Sequence, residues 1–208
     1  TIDNSLFHGM FTYNIPVTVW YESLNGVELP AFSKATSVNG KLNLTSGTTL
    51  NDEVYLRTFR NPRNEPNRGH LFSTSVFLPN PTAAGVRRWG YFTAESGAFF
   101  EKTATGLYGC IRTTIDSVTT DSRTLLDEKY ISDISKGNLY DLRMQWRGVG
   151  DYDFLTNKFI SETVELLGNA TELSMYNPAN PIAFECINLG DEVVLQAGCV
   201  DITSENGE

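Results

Sequence analysis

His70-Leu71-Phe72-Ser73-Thr74-Ser75-Val76-Phe77-Leu78 alternates with period two and then turns apolar on both faces. That is how a strand reads when its two sides become covered. Upstream, Glu53–Phe59 (EVYLRTF) sets Val54, Leu56 and Thr58 against Tyr55, Arg57 and Phe59. Ile15–Tyr21 (IPVTVWY) sets Ile15, Val17, Val19 and Tyr21 against Thr18 and Trp20. Downstream the same period marks Arg87–Thr93, Ala98–Lys102, Leu107–Arg112, Leu139–Trp146, Tyr152–Leu155, Thr163–Leu167, Ile182–Ile187 and Val193–Val200 as strands.

Turn chemistry separates these segments. Asn25-Gly26, Asn39-Gly40, Ser46-Gly47, Ser96-Gly97 and Thr105-Gly106 are hairpin signals. The prolines of Asn61–Asn67, Pro79-Asn80-Pro81 and Asn177–Pro181 cannot donate to a ladder and mark longer loops. Only Ser122–Tyr130 (SRTLLDEKY), capped by Asp121 or Ser122, offers a helix, of two turns. The expectation is an all-β fold, a two-sheet jelly-roll sandwich. Residues 1–50 differ in flavour and are expected to form an N-terminal attachment segment or small subdomain, leaving 51–208 as the sandwich proper.

The composition fits this reading. Of 208 residues, 40% are hydrophobic and 20% charged, which excludes a disordered tail or a coiled coil. Ser, Thr and Asn make up just over a quarter of the chain, as strands joined by many turns require. The apolar runs are too short to cross a bilayer, and no basic start leads into an apolar stretch, so a soluble protein without membrane insertion is expected. Cys110, Cys186 and Cys199 have no metal-ligand spacing and only His8 and His70 to assist them. They read as free thiols in apolar strand contexts, with a Cys186–Cys199 disulfide across a hairpin as the lesser alternative, and no metal or other cofactor is expected.

The net charge of −9 argues against nucleic acid as a partner, because phosphates need a basic surface. The charge is uneven: residues 1–56 carry −3, 57–88 carry +5 and 89–208 carry −11. Within the basic island, Arg60–Gly69 (RNPRNEPNRG) is stiff, extended and rich in donors. Arg57, Arg60, Arg63 and Arg68 are the candidate protein-docking residues, suited to pairing with carboxylates of a neighbour.

No nucleophile elbow, phosphate loop or dinucleotide fingerprint occurs, and Gly148-Val149-Gly150 reads as a tight turn. A sandwich glycosidase places two acids on one strand face, one to protonate the leaving oxygen and one to attack. Asp151 and Asp153 alternate in this way but lack a third acid, so no catalytic residue is assigned and the chain is read as a non-enzyme. Trp89 with Arg88, and Trp146 with Arg147, could stack on a sugar ring and are the candidate glycan-binding residues, although large aromatics in a sandwich are more often core.

Phe7–Tyr13 (FHGMFTY), Asn61–Ser73 (NPRNEPNRGHLFS), Gly137–Gly150 (GNLYDLRMQWRGVG), Pro181–Cys186 and Gly198–Gly207 together resemble virion structural proteins of tailed bacteriophages, minor head- or tail-associated components. The stretch from Arg57 to Val200 is also similar to concanavalin A-like and laminin G-like jelly rolls, with Leu139–Trp146 followed by a turn and Tyr152–Leu155. Legume-lectin metal ligands have no match here. The resemblance implies a non-enzymatic structural component of a phage particle, assembled in the host cytoplasm and acting through association with other virion proteins and with copies of itself. A trimer is the expectation from how fibre-like proteins assemble. The alternatives are a carbohydrate-binding module that engages host-surface glycan and, behind it, a polysaccharide hydrolase using Asp151 or Asp153.

Overall fold

A computed structural model describes residues 4–63, 68–144, 151–164 and 179–205. The first strands are β1 (Asn4–Met10), β2 (Trp20–Leu24), β3 (Val27–Glu28), β4 (Ala35–Val38), β5 (Lys41–Thr45) and β6 (Glu53–Thr58). The middle of the chain adds β7 (Gly69–Phe77), β8 (Gly85–Phe92), β9 (Gly97–Lys102), β10 (Leu107–Ile115) and β11 (Val118–Leu125). After a short 3-10 turn at Glu128–Tyr130 come β12 (Asn138–Met144), β13 (Tyr152–Thr156), β14 (Phe159–Val164), β15 (Ile182–Asn188) and β16 (Val194–Glu205). They form two antiparallel sheets of eight strands. The first runs β14-β13-β12-β7-β16-β5-β4 with β1 also on β16, and the second β11-β10-β9-β8-β15-β6-β2-β3. The expected jelly-roll sandwich is what the chain adopts.

Alternation decides which side chains lie between the sheets. On β6 and β7 every second residue is buried, Val54, Leu56 and Thr58 on one and His70, Phe72, Thr74 and Val76 on the other. At the centre Trp89 stacks on Phe100 with ring centroids 5.7 Å apart, and Tyr140 and Phe154 of the first sheet meet this pair edge-on at 4.9 and 5.2 Å. A Cβ at Gly109 would lie 2.7 Å from the Phe154 ring, so β10 can approach the first sheet this closely only with glycine there. Near one end, Phe11, Trp20 and Phe184 pack together at 5.4 and 6.0 Å. Each such ring removes about 150–250 Å² from water.

Four two-residue turns have both central residues at positive φ: Asn25-Gly26, Asn39-Gly40, Asp116-Ser117 and Asn157-Lys158. This is the turn whose twist matches paired strands. The two with Asn-Gly were legible in the sequence. Asp116-Ser117 and Asn157-Lys158 were not, because no glycine advertises them. Ser46-Gly47 does not close a hairpin: it leads from β5 in one sheet to β6 in the other, with Ser46 N–H donating to Val193 O at 2.9 Å.

Three expectations are corrected. Ser122–Tyr130 is no helix: its first half is β11, paired residue by residue with β10, and only Glu128–Tyr130 coils, capped by Asp127 accepting from Lys129 N–H. The Thr-rich approach to this segment and a waiting strand outweigh the weak helical pattern. Ile15–Tyr21 is a strand only at its end. The Pro16 carbonyl accepts from both Val19 and Trp20 N–H at 3.0 Å, and the turn leaves Val17 exposed. Residues 1–50 form no separate unit in the strand pairing, since β1, β4 and β5 belong to the first sheet and β2 and β3 to the second. Phe11, Trp20, Leu42 and Leu44 are part of the common core.

Among the described residues no helix is long and apolar enough to cross a membrane. The three cysteines are free thiols, and burial pushes Cys110 and Cys186 up to about 12.

Candidate functional site

Directly opposed residues of an antiparallel pair share a face. On the outer side of the second sheet, register therefore places Tyr55 (β6), Glu185 (β15), Arg88 (β8), Glu101 (β9) and Tyr108 (β10) in one row. A parallel row holds Tyr21, Arg57, Ala183, Gly90, Phe99, Cys110 and Arg123. Phe92, Phe99, Cys110 and Ala183 form a small apolar cluster of their own here, with Tyr55 and Tyr108 against it.

This face is paved with matched charge. Arg88 Nε donates to Glu101 at 2.7 Å and Arg88 Nη1 to Glu185 at 2.6 Å, while Arg123 also pairs with Glu101. Arg112 grips Asp121 through two hydrogen bonds of 2.7 and 2.8 Å, and its guanidinium lies 4.9 Å from the Phe99 ring centre. Arg123 covers Tyr108 at 4.5 Å. Glu101 and Glu185 are only 2% and 5% exposed. Burial pushes the Glu185 carboxyl up, and the Arg88 charge opposes the shift. Burial would likewise raise Asp121, but its bonds to Arg112 hold it below the ordinary carboxylate range.

Beside this pavement opens a cleft of about 870 Å³ between loop 93–96 and the β10–β11 hairpin tip, with Tyr55 and Arg57 completing its lining. The loop is tied down. Thr93 Oγ1 accepts from Glu95 and Ser96 N–H, Arg112 Nη1 donates to Thr93 O at 3.1 Å, and Thr114 Oγ1 donates to Glu95 O at 2.7 Å. Tyr55 Oη donates to Phe92 O at 2.8 Å, and Arg57 lies 4.8 Å over the Tyr21 ring. A smaller recess, sharing Ala94 and Thr119 with the cleft, reaches Arg88, Arg112 and Glu185. A pre-formed wall of hydroxyls, carboxylates and one guanidinium beside the Tyr55 ring suits a polyhydroxylated ligand, which offers both polar edges and a weakly apolar face.

The residues singled out from the sequence are not all available. Trp89 is 0% exposed and belongs to the core, so it cannot stack on a sugar. Arg88 points away from it and is engaged by two carboxylates. Trp146 and Arg147 lie outside the described residues. Asp153 lies on the first sheet, where it accepts from Thr163 Oγ1 at 2.7 Å and pairs with Arg143 at 3.5 Å; Asp151 is exposed nearby. Sequence reasoning missed Glu101, Glu185 and Arg112. The first two stood in plain sight as lone acids inside apolar strands, AFFEK and IAFECI, where a charge must find a partner.

Of the arginine island, Arg60 and Arg63 are exposed and have no ion pair among the described residues. They rim a recess of about 350 Å³ whose lining includes Leu6, Phe7, Val19 and Phe59. Arg57 belongs to the cleft, and Arg68 is half-buried with Nη1 3.4 Å from Ser204 Oγ. Arg87 is internal. Much of the +5 counted along the chain is thus consumed inside the fold.

No protein-family model matches the chain, and no curated protein matches its sequence. Solved structures do share the fold. An endo-1,3-β-glucanase from Streptomyces sioyaensis aligns over 98% of this chain and 96% of its own, with TM-score 0.66 and 10% identity. The CBM2 module of the evolved Dit of Lactobacillus casei BL23 phage J-1 aligns over 97% and 95%, with TM-score 0.57 and 11% identity. Botulinum neurotoxin type C, in a structure concerned with its interaction with two ganglioside molecules, aligns over 92% of this chain and 44% of its own, with TM-score 0.55 and 13% identity. The fold is thus one found in glycan-active and glycan-binding domains, including a phage module.

Proposed function

We propose that this chain is a non-hydrolytic glycan-binding sandwich carried on a tailed-phage particle, with the cleft between loop 93–96 and the β10–β11 hairpin as the binding site. The observation that carries the reading is the contrast between that open, pre-organised cleft and the buried acids beside it. A glycosidase needs one carboxyl free to protonate the leaving oxygen and another free to attack or activate water. Glu101 and Glu185 are both held by Arg88, with Arg123 also on Glu101, which suits a rigid floor under a ligand; the acids that line the cleft itself are Glu95 on the loop and Asp116 on the hairpin tip. The likeness to a glucanase supports the fold and leaves its chemistry behind. The phage J-1 module and the sequence resemblance support the virion setting.

A glycan array followed by calorimetry tests this. Binding is expected, with Arg57→Ala and Asp116→Ala each weakening it about tenfold, the equivalent of about 1.4 kcal/mol. Reducing ends should not accumulate. Release of reducing sugar that Glu95→Gln, Asp116→Asn, Glu101→Gln or Glu185→Gln abolishes would replace this reading with a hydrolase, and a blank array would end it.

A second role, docking to other virion proteins and to copies of the chain, is favoured by the recess rimmed by Arg60 and Arg63. An apolar cup with two guanidiniums that have no ion pair among the described residues suits an acidic, partly apolar segment of a neighbour, and the remainder of this chain is itself strongly acidic. Arg60→Glu with Arg63→Glu is expected to reduce self-association or particle incorporation and to abolish its salt sensitivity, read by light scattering across ionic strength. Unchanged assembly in the double variant would dismiss the docking role and leave glycan binding untouched.

A further inference from the structure

We infer that the interior of the sandwich holds a small-anion site between Arg87 and Lys102. The two residues face each other in register on β8 and β9, both on the inner side, two positions from the Trp89–Phe100 pair. Arg87 is 0% and Lys102 6% exposed. Directly opposed Cα atoms in such a ladder lie only about 5 Å apart, so two like charges share one low-dielectric compartment.

Their partners are neutral. Arg87 Nε donates to Val194 O at 3.0 Å, and Nη2 to Asn80 O at 2.8 Å and Pro79 O at 3.5 Å. Lys102 Nζ donates to Thr103 O at 2.7 Å. Among the described residues neither forms an ion pair, and Arg87 Nη1 has no hydrogen-bond partner although it is fully buried. Glu128, on the exposed 3-10 turn, acts on Lys102 only through its field. One position away, facing the opposite side, the half-buried Arg88 has two carboxylates, so this fold does supply acids to the other guanidinium on the strand.

Two more buried side chains are left with a donor to place. Among the described residues Trp89 Nε1 and Tyr140 Oη are also buried without hydrogen-bond partners, and their rings lie 4.9 Å apart. Arg, Lys and Trp side chains offer donors and no acceptor. A water molecule could accept from one or two of them, but it would leave the buried Arg87 charge without a counterion and Lys102 with only the field of Glu128. A monovalent anion answers both needs. It accepts from several donors and neutralises one charge, and a close-packed interior admits only a small one. Lys102 stands at the strand end beside the 103–106 turn, the natural way in. Burial draws both cations below their ordinary values, the strain that a bound anion relieves.

Thermal unfolding of the full chain in sodium chloride, sodium bromide and sodium gluconate at equal ionic strength tests the assignment, together with a search for an anomalous bromide peak in crystals. Chloride and bromide are expected to raise Tm over gluconate by about 2–4 °C, the shift for ~1 kcal/mol in a domain of this size. Lys102→Met should lose that difference, and the bromide peak should lie beside Arg87 Nη1. Arg87→Met should behave likewise; should it fail to fold, Lys102→Met and the bromide peak decide alone. Equal Tm in all three salts, a halide benefit that persists in Lys102→Met, or a bromide-free interior would overturn the proposal.

Discussion

Trp89→Ala is expected to lower the free energy of unfolding by about 3–5 kcal/mol, the cost of emptying a large aromatic site in a core that only partly collapses. The ring is wholly buried, stacked on Phe100 and met edge-on by Tyr140, so its removal strands atoms from both sheets at once. Trp89→Phe keeps part of that contact and sheds the unpaired indole N–H, so it should cost much less. Urea titrations of the three proteins, fitted with a common slope, provide the measurement. A loss below about 1 kcal/mol for alanine is what an exposed ring would give and would return Trp89 to the list of sugar-stacking residues.

The second large effect concerns charge. Arg88→Met is expected to cost about 3–5 kcal/mol at neutral pH, because it leaves Glu185 buried without its guanidinium and Glu101 with Arg123 alone. The penalty should shrink in acid. Burial already holds the Glu185 carboxyl above its ordinary value in the native protein. A raised value means that the folded state binds the proton more tightly than the unfolded one. Stability from this group is therefore present below the ordinary carboxylate value and lost as pH rises through the folded one. Without Arg88 the folded value climbs further, so the variant's deficit opens on the way from acid to neutral pH. Asp121 works in the opposite sense in both proteins: held low by Arg112, it contributes stability above its ordinary value and loses it as pH falls. The difference between the two urea midpoints plotted against pH isolates the Arg88 contribution. A pH-independent difference would mean that the carboxylates find other partners.

The two predictions mark the boundary of what could be read in advance. Period two in HLFSTSVFL and EVYLRTF, and Asn-Gly between strands, placed β6, β7 and two hairpins correctly, because side-chain direction and positive φ are local properties. The errors also have local causes. Pro16 followed by Val and Thr imitates a strand, yet its carbonyl closes a turn. Ser122–Tyr130 carries leucines and a charged end suggestive of a helix, and only the presence of β10 makes its first half a strand. The candidate site was the least legible part. Its row of Tyr55, Glu185, Arg88, Glu101 and Tyr108 draws on five strands far apart in the chain, and no spacing along the sequence encodes strand order.

What the sequence determined by itself is the architecture: alternating apolar residues without a helical period can hide from water only between two sheets, whichever strands become neighbours. What tertiary structure alone decided is the fate of each arginine. Arg87 and Arg88 are adjacent and chemically identical, yet the pleat sends one into the core with carbonyls for company and the other outward onto two carboxylates. The same pleat buries Trp89 beside Arg87, and strand order assembles the cleft around Arg57. Composition fixes how many charges a chain carries; register and burial decide which of them remain free to meet a ligand.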